Sequence, residues 1–324
     1  MCTCATYTTK DHYFGRNLDL EYSYHEQVTV APRNFPFRFR HEPALEQHAA
    51  LIGMAFVIKG YPLFYDAINE KGLGMAGLNF PYNCDFRPAG QTGRNIASFE
   101  LIPYILGQAS TVGQAKEMLS DLTITDDAFA PTLPPNPLHW MIADKDQVIV
   151  VEQTKKGLTV YDNPVGVMTN NPTFDMQMNR LADYRNLTAK EGTDTFGPGL
   201  ELFPYSRGMG AVGLPGDLSS ASRFAKVAFT KMNSVSADDE DSSVSQFFHI
   251  LHSVEQQRGC CCLGEDKYEI TIYSSCCNLD KGIYYYTTYD NSAINAVDMH
   301  KEDLDADQVI AYDLIKKEQI NFQN

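Results

Sequence analysis

Short runs rich in β-branched and aromatic residues recur along almost the whole 324-residue chain, and their spacing narrows the fold more than any other feature. Runs at 3–9, 13–18, 51–58, 148–153, 158–161, 268–274 and 283–289 read as strands. Lys155-Lys156-Gly157 and residues 278–282 supply turn chemistry between neighbouring runs, so these strands are expected to pair as antiparallel hairpins. Helical periodicity marks 99–108, 112–122 after a Ser110-Thr111 cap, 175–187, 220–232, and 244–257 ending before Gly259. The last carries a one-sided stripe of Phe247, Phe248, Leu251 and Val254. Hairpins and helices fall in separate runs rather than in strict alternation, which predicts an α+β chain with an antiparallel sheet core covered by helices. No repeat, low-complexity tract or Pro/Gly/Ser linker interrupts residues 1–324, so one continuous domain is expected.

Hydrophobic residues make up 44% and charged residues 21%, the profile of a soluble globular chain with a sizeable core. The formal net charge is −15, which leaves no basic face for a phosphate backbone or an anionic membrane. No stretch approaches the roughly 18 apolar residues of a membrane span. The opening Met-Cys-Thr-Cys-Ala-Thr-Tyr lacks the basic and apolar regions of a secretory signal, so a cytoplasmic location is expected. The eight cysteines, at 2, 4, 84, 260–262, 276 and 277, are then expected to be reduced. The clusters lack Cys-x-x-Cys spacing and converge poorly on one ion, so no metal is expected.

Cys2 is an unusual place for a reactive side chain, because extreme termini are poorly ordered unless a strand ties them down. Here a strand follows. Loss of Met1 would leave Cys2 with both a thiol, of reference pKa about 8.5, and a free α-amine, of about 7.7–8.0. One residue would then supply nucleophile and base together. The competing reading is a small buried residue at the start of a strand. In Phe14-Gly15-Arg16-Asn17-Leu18-Asp19 a cation and a carboxylate lie on opposite strand faces unless a bulge intervenes, and by itself such a pair also suits a solvated strand edge.

Met1-Cys2-Thr3, Phe14 to Asp19, Asp66-Ala67-Ile68-Asn69-Glu70, Gly77-Leu78-Asn79-Phe80, Leu138-His139-Trp140, Thr169-Asn170-Asn171-Pro172, Gly213-Leu214-Pro215-Gly216-Asp217 and Ser222-Arg223-Phe224 follow one another along the chain. Together they resemble the choloylglycine hydrolases, which include bile salt hydrolases and penicillin V acylases of the N-terminal-nucleophile superfamily. The resemblance runs over essentially the whole length. It implies an αββα sandwich of two antiparallel sheets between helix layers, no cofactor and a homotetramer.

By position, the resemblance makes Cys2 the nucleophile and its amine the base. Arg16 would favour the thiolate, and Asp19 would hold and orient the amine. Asn79 and Asn170 would donate to the oxyanion, and Arg223 would complete the polar site. Asn170 is preferred to Asn171 as the first Asn of its segment. Tyr22 and Tyr24, Tyr65 in the stretch 61–65 after Gly60, and Phe129 with Leu133 among four prolines sit in loop-like contexts. The resemblance places the walls of a steroid pocket in such loops, and an apolar pocket with few polar groups suits a steroid amide.

Cys4 stands where many relatives carry Ala, two residues from Cys2 and on the same strand face. It reads as a small buried residue, or else as a thiol able to form a disulfide with Cys2 under oxidation. Gly208-Met209-Gly210-Ala211-Val212-Gly213 matches a dinucleotide fingerprint but precedes Leu214-Pro215-Gly216 instead of a helix, so nucleotide binding is not expected. His139, in an apolar stretch, reads as a hydrogen-bonded core histidine rather than a base.

The expected reaction is hydrolysis of a glycine- or taurine-conjugated bile salt through a Cys2 thioester. Penicillin V acylase is the nearest rival, and Asn at position 79 favours the bile salt, since penicillin acylases of this family tend to carry Tyr there. A non-catalytic steroid-binding protein is the rival of another class. It would keep the aromatic loops without needing all six polar candidates.

Overall fold

The computed structural model describes residues 1–90 and 93–324. Strands are numbered in chain order. The first large sheet runs, in spatial order, β12 (Val167–Met168), β1 (Cys2–Thr8), β2 (His12–Leu20), β15 (Ile270–Asn278), β16 (Ile283–Thr288) and β17 (Asn291–Asp298). The second runs β11 (Gly157–Asp162), β10 (Val148–Thr154), β9 (Leu138–Ala143), β6 (Gly74–Asn79), β5 (Tyr61–Asn69), β4 (Leu51–Ile58), β3 (Gln27–Ala31) and β18 (Ile310–Asp313). Every pairing in both sheets is antiparallel. Two short ribbons complete the set: β13 (Cys262–Gly264) with β14 (Lys267–Tyr268), and the parallel pair β7 (Arg94–Ala97) with β8 (Leu122–Thr125).

The helices α1 (Leu101–Gln108) and α2 (Val112–Leu119) cover the outer face of the second sheet. A short α3 (Phe174–Arg180) follows β12, and α4 (Ser220–Asn233) and α5 (Glu240–His252) cover the outer face of the first sheet. The inner faces of the sheets meet each other through β1, β2 and β6, which gives the expected αββα order of layers. One apolar cluster fills the space between the sheets and under α4 and α5, and another lies between the second sheet and α1 and α2. This layering buries both faces of the central strands, so β15 is buried along its full length and reads as a continuous run rather than an alternating one.

Several boundaries differ from the sequence reading. The stretch 61–65 is not a loop but the first half of β5. Lys59 and Gly60, with φ of 51° and 79°, form the two-residue turn that joins β4 to β5, a geometry that suits a tight hairpin. Pro62 masks this strand in the sequence. Opposite Met54 and Ala55 the register shifts, and Tyr65 is the extra residue. Helix α2 stops at Leu119, because the β-branched run from Leu122 to Thr125 pairs with β7 instead. Helix α3 ends at Arg180 and gives way to a 3-10 turn. Helix α5 starts at Glu240, four residues before the expected 244, because Asp239 accepts the N–H of Ser242 at 2.9 Å, and it ends at His252.

The two strands that carry most of the site are pressed together. A Cβ on Gly15 of β2 would lie 2.0 Å from the carbonyl oxygen of Ser275 on β15, a backbone atom that cannot swing aside. Gly15→Ala should therefore destabilise by more than the ~1–3 kcal/mol of an ordinary overpacked position. Urea unfolding checks it: the midpoint should fall with an unchanged slope.

Candidate functional site

Pairing of β1 with β2 sets Cys2 opposite Leu18 and Cys4 opposite Arg16. Alternation then gives β2 two chemically different faces. Arg16 points between the sheets, where its Nη1 donates to the carbonyls of Tyr65, at 3.2 Å, and Gly77 on the second sheet. Asn17 points the other way and donates to the carbonyl of Leu251 in α5 at 2.9 Å. Asp19 shares the helix-side face with Asn17, and its Oδ1 accepts from Thr271 at 2.6 Å. The cation and the carboxylate thus lie on opposite faces, as strand periodicity requires, and Cys2 sits at the end of the strand between them.

Residue 2 is held on both sides of its α-carbon. Its N–H donates to Asn170 Oδ1 at 2.9 Å, and its carbonyl accepts from Arg223 Nη1 at 2.6 Å. Arg223, on α4, also donates from Nη1 to Thr3 Oγ1 at 2.5 Å, from Nη2 to Asn170 Oδ1 at 2.7 Å and from Nε to Leu218 at 3.0 Å. Its guanidinium stands 4.0 Å from Asp19 Oδ2. Asn170 donates from Nδ2 to the carbonyl of Asn79 at 2.6 Å, and its own N–H is taken by Ser220 Oγ at 2.9 Å. Asn171 turns away and binds the carbonyl of Pro81, and the Asn171–Pro172 peptide is cis. Asn79 ends β6, and among the described residues its side-chain amide makes no hydrogen bond. The six polar candidates of the sequence therefore converge around one point.

The charges there are deeply buried. Burial works against the Arg16 guanidinium, but the facing Cys2, Tyr273 and Asp66 outweigh it and raise its pKa. Burial raises the pKa of Asp19, opposed by Arg223, the N-terminal ammonium and the Thr271 hydroxyl. Burial lowers that of Arg223, opposed by Asp19 and Cys2. Cys4 is fully buried, and burial pushes its thiol well above its ordinary value, with Arg16 pulling back. Arg16 Nη2 and Asp19 Oδ2 are among the buried side-chain atoms that make no hydrogen bond with the described residues. In the chain carrying Met1, the Met1 ammonium donates to the carbonyl of Asp19 at 2.8 Å and pairs with the Glu269 carboxylate.

Glu269 was not legible in the sequence, and neither was the group behind Arg16. There Asp66 accepts hydrogen bonds from Tyr273 at 2.5 Å, Tyr284 at 2.7 Å and Ser275 at 3.1 Å. Ser275 Oγ also accepts the N–H of Arg16 at 3.1 Å, so the buried carboxylate is linked to the arginine through one hydroxyl. Asp66 lies in a quoted motif, but only its burial distinguishes it from a surface carboxylate.

His139 is buried, with Nδ1 3.0 Å from Glu152 and Nε2 2.8 Å from the carbonyl of Thr169, and it stacks on Phe80 at 4.2 Å. Both ring nitrogens are engaged, as a core histidine's should be. The fingerprint-like segment 208–213 forms a turn around a 3-10 helix at Met209–Ala211 instead of opening a longer helix.

The five wall candidates divide. Tyr65 packs on the cluster that contains Cys2. Tyr22 and Tyr24 follow β2 and are exposed, their rings 4.8 Å apart and their hydroxyls 3.0 Å apart. Phe129 packs instead on Tyr61 and Phe99, at 5.7 and 5.2 Å, and Tyr61 belongs to the core on the far side of the second sheet. The N–H of Leu133 closes a turn on Ala130 at 2.8 Å. The structure thus sets Tyr65 beside Arg16 through its carbonyl, sets Tyr22 and Tyr24 after the strand that pairs with Cys2, and groups Phe129 with a different set of aromatics.

The model of the linear amide C–N hydrolases, choloylglycine hydrolase family, matches residues 2–312. A bile salt hydrolase/transferase of Lactiplantibacillus plantarum is 52% identical over 97% of both chains, and one of Clostridium perfringens is 41% identical over 100% of both. The crystal structure of the C2A variant of the conjugated bile acid hydrolase from Clostridium perfringens superposes with a TM-score of 0.92 over 100% of each chain, at 40% identity. A penicillin V acylase from Agrobacterium tumefaciens, at 18% identity, shares the fold with a TM-score of 0.75, covering 96% of this chain and 91% of the other. With a full-length match to the family model and relatives of this identity, the chain belongs to the choloylglycine hydrolase family of linear amide C–N hydrolases.

Proposed function

We propose that this amide hydrolase is a bile salt hydrolase that cleaves glycine- or taurine-conjugated bile salts through a thioester on Cys2, after loss of Met1. The observation that carries the mechanism is the fixed seat of residue 2, with Asn170 on its nitrogen, Arg223 on its carbonyl and Arg16 facing the same space. Two relatives named as bile salt hydrolase/transferase, at 52% and 41% identity, support the substrate class.

The free amine of Cys2 takes the thiol proton, and the sulfur attacks the amide carbonyl carbon. Asp19 Oδ2, unpartnered beside Arg223, is available to hold that amine. The oxyanion receives hydrogen bonds from the free Asn79 amide and from the second Nδ2 hydrogen of Asn170, whose first is spent on Asn79's carbonyl. The carbon–nitrogen bond breaks as the Cys2 ammonium returns its proton to the departing glycine or taurine nitrogen. Water then attacks the thioester carbon as the amine accepts its proton, the carbon–sulfur bond breaks to free the bile acid, and the ammonium returns the proton to the Cys2 sulfur. No metal or cofactor has a part in these steps.

Penicillin V cleavage is the nearest alternative, since it needs the same chemistry with a smaller acyl group. A non-catalytic steroid binder would not need the six polar groups gathered at residue 2. We further propose a homotetramer in the cytoplasm. The apolar side chains Phe196, Phe203, Tyr205 and Val212, each well exposed, support self-association, because a covering partner would remove them from water.

Three measurements check this function. Cys2→Ala should abolish release of glycine from glycocholate while the protein still binds it, and Cys2→Ser should be severely impaired because a hydroxyl is far less ionised. Appreciable turnover by the Ala variant excludes the mechanism. Asn79→Tyr should lower glycocholate turnover by roughly 10²-fold or more, with penicillin V less affected. Blocking Met1 removal with an N-terminal tag should silence the enzyme, and cleavage that exposes Cys2 should restore it, with intact mass confirming the terminus.

A further inference from the structure

Tyr82 adopts a conformation that its side chain does not favour. Its φ is +68°, in the left-handed region where a bulky residue crowds its own backbone, and its side chain is 97% exposed. Both features are unfavourable for an aromatic residue, and nothing in the chain offsets them by packing. Strain of this kind persists where the surroundings over-determine it, and it concentrates at ligand clamps and active sites.

The surroundings here are those of the site. Tyr82 follows Asn79 by three residues. The carbonyl of Asn79 is bound by Asn170, and that of Pro81 by Asn171. Phe80, also before Tyr82, is buried against His139, and after Tyr82 the N–H of Cys84 returns to the carbonyl of Phe80 at 3.2 Å to close the turn. The loop is therefore clamped before and after Tyr82, and only the ring itself is free. Tyr22 and Tyr24 are exposed on the loop after β2, beyond the Leu18 and Asp19 that flank Cys2.

We infer that Tyr82 is a specificity-determining residue, whose ring closes over the fused-ring acyl group of a bound bile salt. This rests on the proposed function. A wide, rigid alicyclic surface matches an aromatic face, and its binding would bury the ring that the free protein leaves in water. A phenoxyacetyl group offers a single ring, a smaller surface than the fused-ring system. The contact is with the part of the substrate that does not react, so it acts on binding rather than on the chemical step.

The test compares the mature enzyme with Tyr82→Gly and Tyr82→Phe on glycocholate and penicillin V, with light scattering on each protein. Tyr82→Gly should raise KM for glycocholate roughly 5- to 30-fold, the scale of one buried aromatic contact, with kcat within about twofold. Its KM for penicillin V should rise less than that for glycocholate, Tyr82→Phe should keep the parent's KM, and Tyr82→Gly should melt higher, since glycine accepts the left-handed conformation. An unchanged KM for glycocholate in an active parent overturns the inference alone. A change in oligomeric mass that accompanies the KM effect also overturns it, because the ring would then serve a contact between copies. A parent that cleaves no glycocholate overturns this inference together with the proposed substrate.

Discussion

The buried guanidinium of Arg223 ties the beginning of the chain to the rest of the molecule. A charge removed from water costs several kcal/mol unless its donors are satisfied and a counter-charge is near. Arg223 has acceptors at Cys2, Thr3, Asn170 and Leu218, with the Asp19 carboxylate nearby. Those contacts join α4, β1, β2 and the segment after β12 at one point. A terminus that would otherwise fray is therefore held on both sides of one residue. Removal of any partner would leave a buried charge or amide unmatched, so the group holds together as a unit.

Strand β2 then separates two electrical environments within the thickness of one sheet. On the inner face Arg16 meets the Asp66 carboxylate and its two tyrosine donors, in a space closed by the second sheet. On the outer face Asp19 meets Arg223 and Thr271 under α4. Cys2 stands at the strand end between the two, its nitrogen held by Asn170 and its carbonyl by Arg223. A residue placed there has both environments within reach because a sheet has two sides.

The sequence conveyed the pieces of this arrangement better than their boundaries. Alternation alone placed Arg16 and Asp19 on opposite faces, and separate runs of hairpins and helices conveyed the α+β layering. Strands with a proline or several glycines, such as β5 and β6, were hidden because their residues suit a close-packed interior rather than an intrinsically extended chain. Glu269 and the Asp66 group were invisible because a buried carboxylate and a surface one have the same letter. Tyr82 was unreadable for a different reason: its significance is a backbone angle, and tyrosine is not a residue that announces a positive φ. Phe129 adds a contact that its proline-rich loop does not announce, since the ring joins Tyr61 and Phe99.

Met1 adds only one rung to the ladder: its carbonyl takes the N–H of Asp19 at 3.0 Å, and its ammonium reaches the carbonyl of the same residue. The peptide bond that must break for activity thus lies at the very edge of the sheet, beyond the packing that defines the fold. Neither buried arginine takes a hydrogen bond from Met1, whose polar contacts are with Asp19 and Glu269. Circular dichroism, melting and sedimentation would score precursor and mature enzyme alike, although only one of them has an amine where the chemistry requires it. In this architecture, the quality of folding is blind to the state of maturation.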